Sequence, residues 1–564
     1  MIPIGETFAT IAIGEAFFLN IRILVVDVEV PFLLGKSLLF HDTVTGFDIK
    51  PDGICFHRKF RTHNLDQHIP FINRVFQAFS SRPAGQDSLE QKANWLTSQR
   101  CINLPSNHPD TDEITSVVNL LLEYEDCFGY EGTELGNFAT MVQIPTIPGM
   151  AKAQRQHPIA QQFQSVVDEE IDGMLKNGVI ELCDDPKGFN SPIIVVKKKN
   201  GKPRVCANFK NSLNKCLADS SDTWQMPDTE VIFSEIGKGN KYFGSLDFKA
   251  GYWQCTIDPI NRYKTSFQWR NRCFQWVRMP FGLTCAGDIF CRAISKALQP
   301  VANKSNYKSY VDDLLLHAGT FEEYLETLQM VLIACRSSGI KLNSEKCSFL
   351  QPEAEFLGRI VCEEGYKANP TYVADLLKMA PPRNRKELQA TIGRFVWLRS
   401  FLETQIGENV GDHCFSSLMN PLNKLNRQDK KFIWTPQAQS AFDLAKERLS
   451  SPRVIFFADF TQPFVLVTDA SNVAVGGVIL QKINGKQRII AAGSKTFDTT
   501  QQKWSTTERE AYAIIWACER FSYFLRGPKP FVLLTDHKSL IYMDRNIFAN
   551  QKIARWQDRL SEFR

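Results

Sequence analysis

The sequence has 564 residues, which is too many for one hydrophobic core, so several domains are expected. Hydrophobic residues make up 43% and charged residues 23% of the chain, as in soluble globular proteins, and the net charge of +5 is weak support for an anionic partner. The 15 cysteines include no Cys-x-x-Cys pair, which argues against zinc ribbons, knuckles and fingers and against a regular disulfide framework.

The sequence also lacks the segments that direct proteins to membranes. It contains no run of about 18 uncharged apolar residues, and no basic region precedes its first apolar stretch. We therefore expect an intracellular protein with reduced cysteines and no membrane span.

Residues 1–50 have the pattern of a small β unit. Strand-like stretches run over Thr7–Ile13 and Ile21–Val30, and Pro31–Gly35 follows. The last stretch resembles the Ile-Leu-Gly segment near the end of retroelement aspartic proteases, which implies a protease remnant. The Asp-Thr/Ser-Gly catalytic turn of that fold is absent upstream, and an unrelated β unit fits the same pattern.

Residues 51–150 carry many Pro, Asn, Asp and Gln residues and show little sustained periodicity. Only Ile114–Tyr124 has clear helical spacing, and Pro145 and Pro148 mark the end of the segment. We interpret it as a linker that leads into the next domain.

A helix predicted over Phe163–Leu175 is followed by a basic β hairpin. The strands Ser191–Val196 and Arg204–Phe209 flank Asn200–Gly201, which is a strong hairpin signal. The hairpin carries six cations and no acid between residues 197 and 210: Lys197, Lys198, Lys199, Lys202, Arg204 and Lys210. Such a cluster favours a bound polyphosphate, although a solvated loop is the usual role of a charge run.

Three carboxylates after the hairpin predict a cation site. A strand-like run ends at Asp247, and Asp312 and Asp313 lie between apolar residues in Ser309–His317. Neighbouring strand residues point to opposite faces, so Asp312 and Asp313 come close together only at a tight turn. One interpretation of the Asp-Asp pair is a cation site, because a divalent cation would remove the repulsion between the two carboxylates. The other interpretation is a polar hairpin tip.

Three motifs in this order closely resemble the palm of retroelement reverse transcriptases of the Ty3/gypsy class of LTR retrotransposons. They are the strand ending in Asp247, the segment Met279–Thr284 and the sequence Tyr310–Asp313. The resemblance implies an α/β and α+β multidomain protein with a right-hand polymerase. Fingers and palm would occupy residues 151–365, and thumb and connection helices would occupy residues 366–452.

The resemblance continues beyond the carboxylates. Phe321–Cys335 predicts a helix that ends at Gly339, and Lys341–Cys347 follows it. Glu355–Gly358 is similar to the primer-grip hairpin, and Arg383–Phe401 looks like the connecting helical segment. The residues assigned to the primer grip are Phe356, Leu357 and Gly358.

Residues 453–564 resemble the RNase H module that follows the polymerase in this family. Asp469 ends one strand, Glu510 lies on a helix and Asp536 ends another strand, although isolated acids are more often caps or surface charges. The Glu-x-x-Ala-Ile pattern favours Glu510 over Glu508. The family's fourth acid would lie beyond residue 564, so we expect a C-terminally truncated module with weak cleavage.

The resemblance implies phosphoryl transfer assisted by two Mg²⁺ ions at each acidic site, with Mn²⁺ as a substitute. The carboxylates assigned to catalysis and metal binding are Asp247, Asp312 and Asp313 in the polymerase and Asp469, Glu510 and Asp536 in the RNase H module. Asp313 would be the weaker ligand, because one of two adjacent acids usually points away.

The resemblance also assigns residues to the dNTP. Lys198 and Arg204 would contact the triphosphate, Arg204 through its bidentate fork. Tyr252 would collide with a ribose 2′-OH, which makes dNTPs the substrates. Phe281 and Gly282 would line the same pocket.

The expected partners are RNA and DNA template–primers and RNA/DNA hybrids, held through backbone and A-form shape, together with dNTPs. The resemblance implies a cytoplasmic virus-like particle, and a dimer and a longer polyprotein are both compatible with the sequence.

Two alternative functions remain open. A non-LTR element polymerase is disfavoured by Met279–Thr284 and by the placement of the RNase H module. A catalytically decayed, nucleic-acid-binding relic is disfavoured by the six intact acids. The sequence departs from the family at Asn208–Lys210, where Asp-Tyr-Arg is usual, so that the carboxylate and the Arg are replaced together.

Overall fold

The computed structural model describes residues 3–13, 16–26, 44–50, 53–60, 63–69, 88–105, 110–129, 135–138, 141–197, 203–218, 227–301, 306–427, 432–451, 453–527, 529–537, 556, 559–560 and 562–563. The chain divides into two compact units, Met1–Gln99 and Arg100–Arg564.

The first unit is built mainly from antiparallel strands. The strands are β1 (Pro3–Ile13), β2 (Ala16–Val26), β3 (Val44–Lys50), β4 (Gly53–Phe60) and β5 (His63–Ile69). The first two form a hairpin, and the other three form a sheet in the order β3-β4-β5. The predicted boundary after residue 50 falls in the β3–β4 turn, so the β unit extends further than predicted. Pro31–Gly35 lies outside the described residues, and the protease remnant stays a prediction.

Helices follow these strands along the rest of the chain. In chain order, the α-helices of the described residues are α1 (Leu89–Arg100), α2 (Thr111–Glu123), α3 (Gln164–Lys176), α4 (Thr229–Ile236), α5 (Pro259–Arg262), α6 (Ala286–Ala297), α7 (Phe321–Ser338), α8 (Pro370–Leu377), α9 (Arg385–Trp397), α10 (Arg399–Leu402), α11 (Phe415–Leu425), α12 (Pro436–Ser450), α13 (Thr506–Arg520) and α14 (Ser522–Leu525).

The strands of the second unit are β6 (Phe128–Gly129), β7 (Ile180–Leu182), β8 (Ile193–Lys197), β9 (Pro203–Ala207), β10 (Tyr242–Asp247), β11 (Phe267–Trp269), β12 (Arg272–Trp276), β13 (Tyr307–Tyr310), β14 (Asp313–Ala318), β15 (Leu342–Asn343), β16 (Ser348–Gln351), β17 (Glu353–Phe356), β18 (Arg359–Cys362), β19 (Gly365–Ala368), β20 (Val454–Phe456), β21 (Val465–Ala470), β22 (Ala474–Ile483), β23 (Lys486–Thr496) and β24 (Val532–Leu534).

The sheet that carries the first three carboxylates has the strand order β13-β14-β10-β16. Helix α7 packs against β14. Thr320 caps this helix by accepting a hydrogen bond from the Glu323 amide, and Gly339 ends it with φ 70. Its buried residues, including Tyr324, Leu328 and Cys335, recur at helical spacing, so the helix forms where the sequence predicts it.

The part of the predicted linker that follows residue 100 contains regular structure and belongs to the second unit. Strand β6 pairs in parallel with β15, and the Phe138 amide donates to the Gln254 carbonyl. The Val142 amide donates to the Thr256 carbonyl in the same way. The interpretation of residues 51–150 as a linker was therefore wrong for this part, because long-range backbone pairing replaces the missing local periodicity.

A second sheet has the order β17-β18-β19-β20 and brings distant segments together. Gly365 in β19 pairs with Phe456 in β20, so the strand after the predicted boundary at residue 453 belongs to this sheet. Helices α8 to α12 lie between β19 and β20 in the chain, and Phe395 and Phe442 from this helical segment meet in the core with ring centroids 6.0 Å apart.

The third large sheet has the order β23-β22-β21-β24, with β24 parallel to β21 and the other pairs antiparallel. Helix α13 buries Ala511, Ile514 and Cys518 in a core shared with Leu466 and Ile479 of the sheet. Across the described ranges, no helix combines the length and the apolar character needed to cross a membrane.

Candidate active sites

The hairpin β13–β14 places the Asp-Asp pair beside Asp247. Tyr310 pairs with Asp313, so Val311 and Asp312 form the turn, and Asp313 lies directly opposite Asp247 on β10. Val311 has φ 54, an unfavourable conformation for a β-branched residue. Strain of this kind persists where the surrounding structure imposes it, often at functional sites. The predicted tight turn is present.

Asp247 is held by two side chains from the segment that follows α7. Lys346 Nζ lies 3.0 Å from Asp247 Oδ2, and Asn343 Nδ2 donates to Asp247 Oδ1 at 3.4 Å. Burial raises the pKa of Asp247, the Lys346 contact opposes this shift, and the charge of Asp312 adds to it. The sequence marked Lys341–Cys347 as part of the resemblance but gave no sign that its side chains reach Asp247.

Asp313 has the most perturbed carboxyl group of this site. Burial, followed by the charges of Asp312 and Asp247, raises the pKa of Asp313 to about 6. Directly paired residues project from the same face of a sheet, so the register puts Asp313 beside Asp247, and the weaker ligation expected of Asp313 stays a prediction. These three acids do not form a cluster within metal-bridging distance in the part of the chain that the structure describes.

Three of the residues assigned to the nucleotide, one arginine and two aromatic residues, pack together near Asp312. The Arg204 guanidinium lies 3.8 Å from the centre of the Phe281 ring, and the Tyr252 and Phe281 ring centroids are 5.2 Å apart. Burial raises the pKa of Tyr252, and the charge of Asp312 contributes to this shift. The structure therefore brings Arg204, Tyr252 and Phe281 together, whereas Lys198 lies outside the described residues.

Asn214 holds the loop that contains Phe281 and Gly282. Its Nδ2 donates to the Gly282 carbonyl at 2.9 Å, and its Oδ1 accepts from the Thr284 amide at 3.2 Å. Gly282 has φ 99, and a Cβ there would lie 3.1 Å from the Ala207 carbonyl oxygen of β9. The sequence did not single out Asn214, because its partners are about 70 residues away in the chain.

The hairpin assigned to the primer grip turns at Leu357 and Gly358, which have φ values of 49 and 69. A two-residue turn with both φ values positive joins antiparallel strands with the correct twist. Phe356 is buried and packs against Phe233, and Leu357 is also buried. The assigned residues thus form the hairpin as predicted, but the Phe356 and Leu357 side chains belong to the core.

The second acidic site lies at the edge of the sheet formed by β21 and β24. Val467 pairs with Leu534 in parallel, so Asp469 and Asp536, each two residues further on, reach the same edge. Helix α13 adds Glu510, and ligand oxygens of all three acids lie within 4.8 Å of one another. Of the described residues, only these three form such a cluster, and all three were predicted.

Glu510 is the centre of this cluster. Its Oε2 is buried and has no hydrogen-bond partner, while its Oε1 accepts from the Ala470 amide at 3.3 Å. Burial, then the charges of Asp469 and Asp536, raises the pKa of Glu510 to about 8. Glu508 instead forms a capping box with Ser505, which explains why it is not part of the site.

Known proteins show the same two parts. Residues 196–361 match the family described as reverse transcriptase (RNA-dependent DNA polymerase), and residues 459–563 match the RNase H-like domain found in reverse transcriptase. The chain therefore contains a reverse transcriptase domain and the RNase H-like domain found in reverse transcriptases.

Its relatives are Pol polyproteins of Ty3/gypsy-type LTR retrotransposons. The chain is 31% identical over 478 residues to the retrovirus-related Pol polyprotein from transposon opus of Drosophila melanogaster, covering 82% of this chain and 46% of that polyprotein. It is 30% identical over 414 residues to the transposon Tf2-3 polyprotein of Schizosaccharomyces pombe, covering 72% of this chain and 30% of that polyprotein. The chain thus spans less than half the length of these curated relatives.

Solved structures show the same fold. The foamy viral protease-reverse transcriptase in complex with dsDNA has a TM-score of 0.67 at 21% identity, covering 85% of this chain and 95% of that chain. The foamy viral protease-reverse transcriptase in complex with an RNA/DNA hybrid has a TM-score of 0.65 at 19% identity, covering 100% of this chain and 70% of that chain. The predicted fold class, a right-hand polymerase with an RNase H-like domain, is confirmed.

Proposed function

We propose that the chain is an RNA-directed DNA polymerase that extends a primer with dNTPs on an RNA or DNA template. We also propose that its RNase H-like domain cleaves the RNA strand of RNA/DNA hybrids. The observation that carries the polymerase proposal is the register of Asp247 opposite Asp313, with Asp312 on the strained turn between β13 and β14.

Both acidic sites offer carboxylates to divalent cations, and among the described residues the second site has its three ligand oxygens within bridging distance. At the second site, the buried Glu510 Oε2 lacks a hydrogen-bond donor, and the three acids repel one another. At the first site, burial and then the charges of Asp312 and Asp247 raise the pKa of Asp313. Mg²⁺ would neutralise these charges, activate the attacking oxygen and stabilise the leaving group. Asp247, Asp312 and Asp313 would hold it in the polymerase, and Asp469, Glu510 and Asp536 in the RNase H-like domain.

Lys346 does not prevent Asp247 from acting as a ligand. The Lys346 side chain is 63% exposed, and an ion pair with an exposed partner contributes little to stability. A cation beside Asp313 can therefore compete with Lys346 for Asp247 Oδ2. The hydrogen bond from Asn343 would keep the other oxygen oriented.

The chain's own residues would bind and orient the nucleotide. Phe281 covers one face of the Arg204 guanidinium, which leaves N–H groups at its edge to donate to a triphosphate. Tyr252 is packed between Phe281 and Phe290, with ring centroids 5.2 and 5.3 Å away, so its ring is a rigid wall against a 2′-OH. Lys198 is proposed as a second phosphate contact.

We extend the proposal to the nucleic-acid partners and the cellular setting. The foamy viral neighbours are described in complex with dsDNA and with an RNA/DNA hybrid. The shared fold supports the same partners for this chain. The cytoplasmic virus-like particle is proposed from the sequence resemblance alone.

Primer extension by the purified chain tests the polymerase proposal. We expect dNTP-dependent extension on an RNA template, and we expect Asp312→Asn to abolish it while template–primer binding stays within about twofold. Binding comes from distant Lys and Arg contacts to phosphates, whereas the reaction needs the carboxylate charge. Equal loss of binding and synthesis in the variant, or no extension by the unmodified chain, would refute the proposal.

A further inference from the structure

The loop between α10 and α11 contacts the RNase H-like site from outside that domain. The Gly411 amide donates to Asp469 Oδ2 at 3.0 Å in a buried position, and the Ala470 amide donates to Asp469 Oδ1 at 2.7 Å. Each carboxylate oxygen thus accepts one backbone N–H and keeps a second lone pair. One of these two donors comes from the domain itself, and the other comes from the connecting segment.

Two glycines allow this close approach. A Cβ at Gly411 would lie 2.8 Å from the Ser471 amide nitrogen and 2.9 Å from the Ala470 carbonyl carbon. On the facing strand, Gly476 is the direct partner of Asp469, and a Cβ there would lie 2.6 Å from the Val410 carbonyl oxygen. The loop backbone therefore rests directly on the strand pair that carries the catalytic acid.

A buried polar network fixes the base of the loop. Glu403 is 1% exposed and accepts hydrogen bonds from the Phe415 amide at 2.8 Å and from Ser494 Oγ at 2.9 Å. Arg399 Nη2 donates to the Ser494 carbonyl at 2.6 Å, and the Ser416 amide donates to Ser494 Oγ at 3.0 Å. Since Ser494 lies on β23, the network attaches the connecting segment to the RNase H-like sheet.

Ser417 adds a contact nearer the acid. Its Oγ donates to the Gly411 carbonyl at 2.7 Å and lies 3.3 Å from Ser471 Oγ. Ser471 is two residues after Asp469, so Ser417 joins the loop to the end of the catalytic strand.

We propose that Gly411 is a positioning residue for the RNase H-like site, so that this site is complete only with the connecting segment in place. This inference rests on the proposed function. The Gly411 N–H fixes the carboxylate plane of Asp469 beside Glu510 and Asp536. Fixing a ligand in its bound orientation raises its affinity for the cation.

The test compares Gly411→Ala with Gly393→Ala in the full chain. Gly393 lies in α9, where an added Cβ meets nothing within 4 Å, so its substitution is a matched control. We expect Gly411→Ala to lower hybrid cleavage at least tenfold and to weaken Mn²⁺ binding measured by electron paramagnetic resonance. The Mn²⁺ binding to be compared is the part of the total Mn²⁺ binding that is lost in Asp469→Asn. DNA synthesis should stay within twofold, and Gly393→Ala should change nothing.

A second pair of variants covers the case in which Gly411→Ala disturbs folding and also loses DNA synthesis. Ser417→Ala removes the shorter of two side-chain hydrogen bonds to the Gly411 carbonyl, 2.7 Å against 3.3 Å from Cys414 Sγ, and Ser417→Thr restores the hydroxyl. We expect the first to weaken Mn²⁺ binding several-fold and the second to rescue it.

The outcomes separate this inference from the proposed function. If the unmodified chain cleaves no hybrid, the proposed RNase H function fails, while Mn²⁺ binding still decides the role of Gly411. Unchanged Mn²⁺ binding in either Gly411→Ala or Ser417→Ala would overturn the inference, as would the absence of Asp469-dependent Mn²⁺ binding in the unmodified chain.

Discussion

Asp247 and Asp313 are direct partners across the antiparallel strands β10 and β14, so their side chains project from the same face of the sheet. The pairing puts two acids at one strand end, and the two-residue turn adds Asp312. Burial and mutual repulsion raise the pKa of Asp313 to about 6, which marks the position where a cation would be most stabilising.

Replacing Tyr252 with Ala should relax the choice of sugar. The ring packs on Phe281 and Phe290, so its removal opens the space that a 2′-OH would need. We expect the ratio of ribonucleotide to deoxyribonucleotide incorporation to rise about tenfold, equivalent to ~1.4 kcal/mol. Single-nucleotide extension with matched NTP and dNTP measures this ratio. Tyr252→Phe keeps the ring and should behave like the unmodified chain; an unchanged ratio in Tyr252→Ala would exclude the steric role.

Replacing Asn214 should weaken nucleotide binding without touching the carboxylates. The Ala variant loses both hydrogen bonds to the loop that carries Phe281 and Gly282, each worth about 1 kcal/mol. We expect the KM for dNTP to rise roughly fivefold to thirtyfold with a smaller change in kcat. Asn214→Asp keeps the oxygen that accepts from the Thr284 amide but places a second oxygen against the Gly282 carbonyl. Its KM for dNTP should therefore rise at least as much as that of Asn214→Ala. A normal KM in Asn214→Asp would argue against this loop contact.

Glu510→Gln and Glu508→Gln should separate catalysis from helix capping. Glu510 lies among three acids, whereas Glu508 closes the capping box with Ser505. We expect Glu510→Gln to abolish cleavage of the RNA strand and to leave DNA synthesis intact, because the two acidic sites lie in different sheets. Glu508→Gln should keep cleavage, since Gln also serves at that position of a capping box. Comparable cleavage by both variants would show that Glu510 is not a catalytic ligand.

His317 should make the fold sensitive to acid. Its Nδ1 lies 3.1 Å from Asn240 Oδ1, and the Asn240 amide nitrogen donates to two carbonyls, so Nδ1 must donate. The buried Nε2 has no hydrogen-bond partner, which favours the neutral ring. Burial, with the charge of Lys308, lowers the pKa of His317 to about 3. Below about pH 6.5 the unfolded chain binds a proton at His317 that the folded chain does not. The free energy of unfolding therefore decreases as the pH is lowered.

The size of this effect can be measured against a variant without the imidazole. The contribution of His317 should fall by about 2 kcal/mol between pH 7.5 and pH 5. Asp313 and Glu510 act in the opposite direction, because their pKa values are raised in the fold. The comparison is therefore the difference in urea midpoint between the unmodified chain and His317→Gln at each pH. A difference that does not change with pH would contradict the buried neutral state.

Much of the site follows from local sequence because its signals are local. A strand run that ends in an acid places that acid at a sheet edge, and this holds for Asp247, Asp469 and Asp536. The Asp-Asp pair required a tight turn, and the turn at Val311 and Asp312 supplies it. The choice of Glu510 over Glu508 likewise depended on residues within one helix.

The tertiary structure alone decided which distant groups hold these acids. Lys346 reaches Asp247 across 99 positions and Gly411 reaches Asp469 across 58, while Asn214 fixes a loop 68 residues away. Backbone pairing joins Phe128, Gly129, Phe138 and Val142 to the second unit and leaves no periodic pattern in the sequence. Periodicity reports which face of an element is buried, whereas the partners across that face depend on how the whole chain closes on itself.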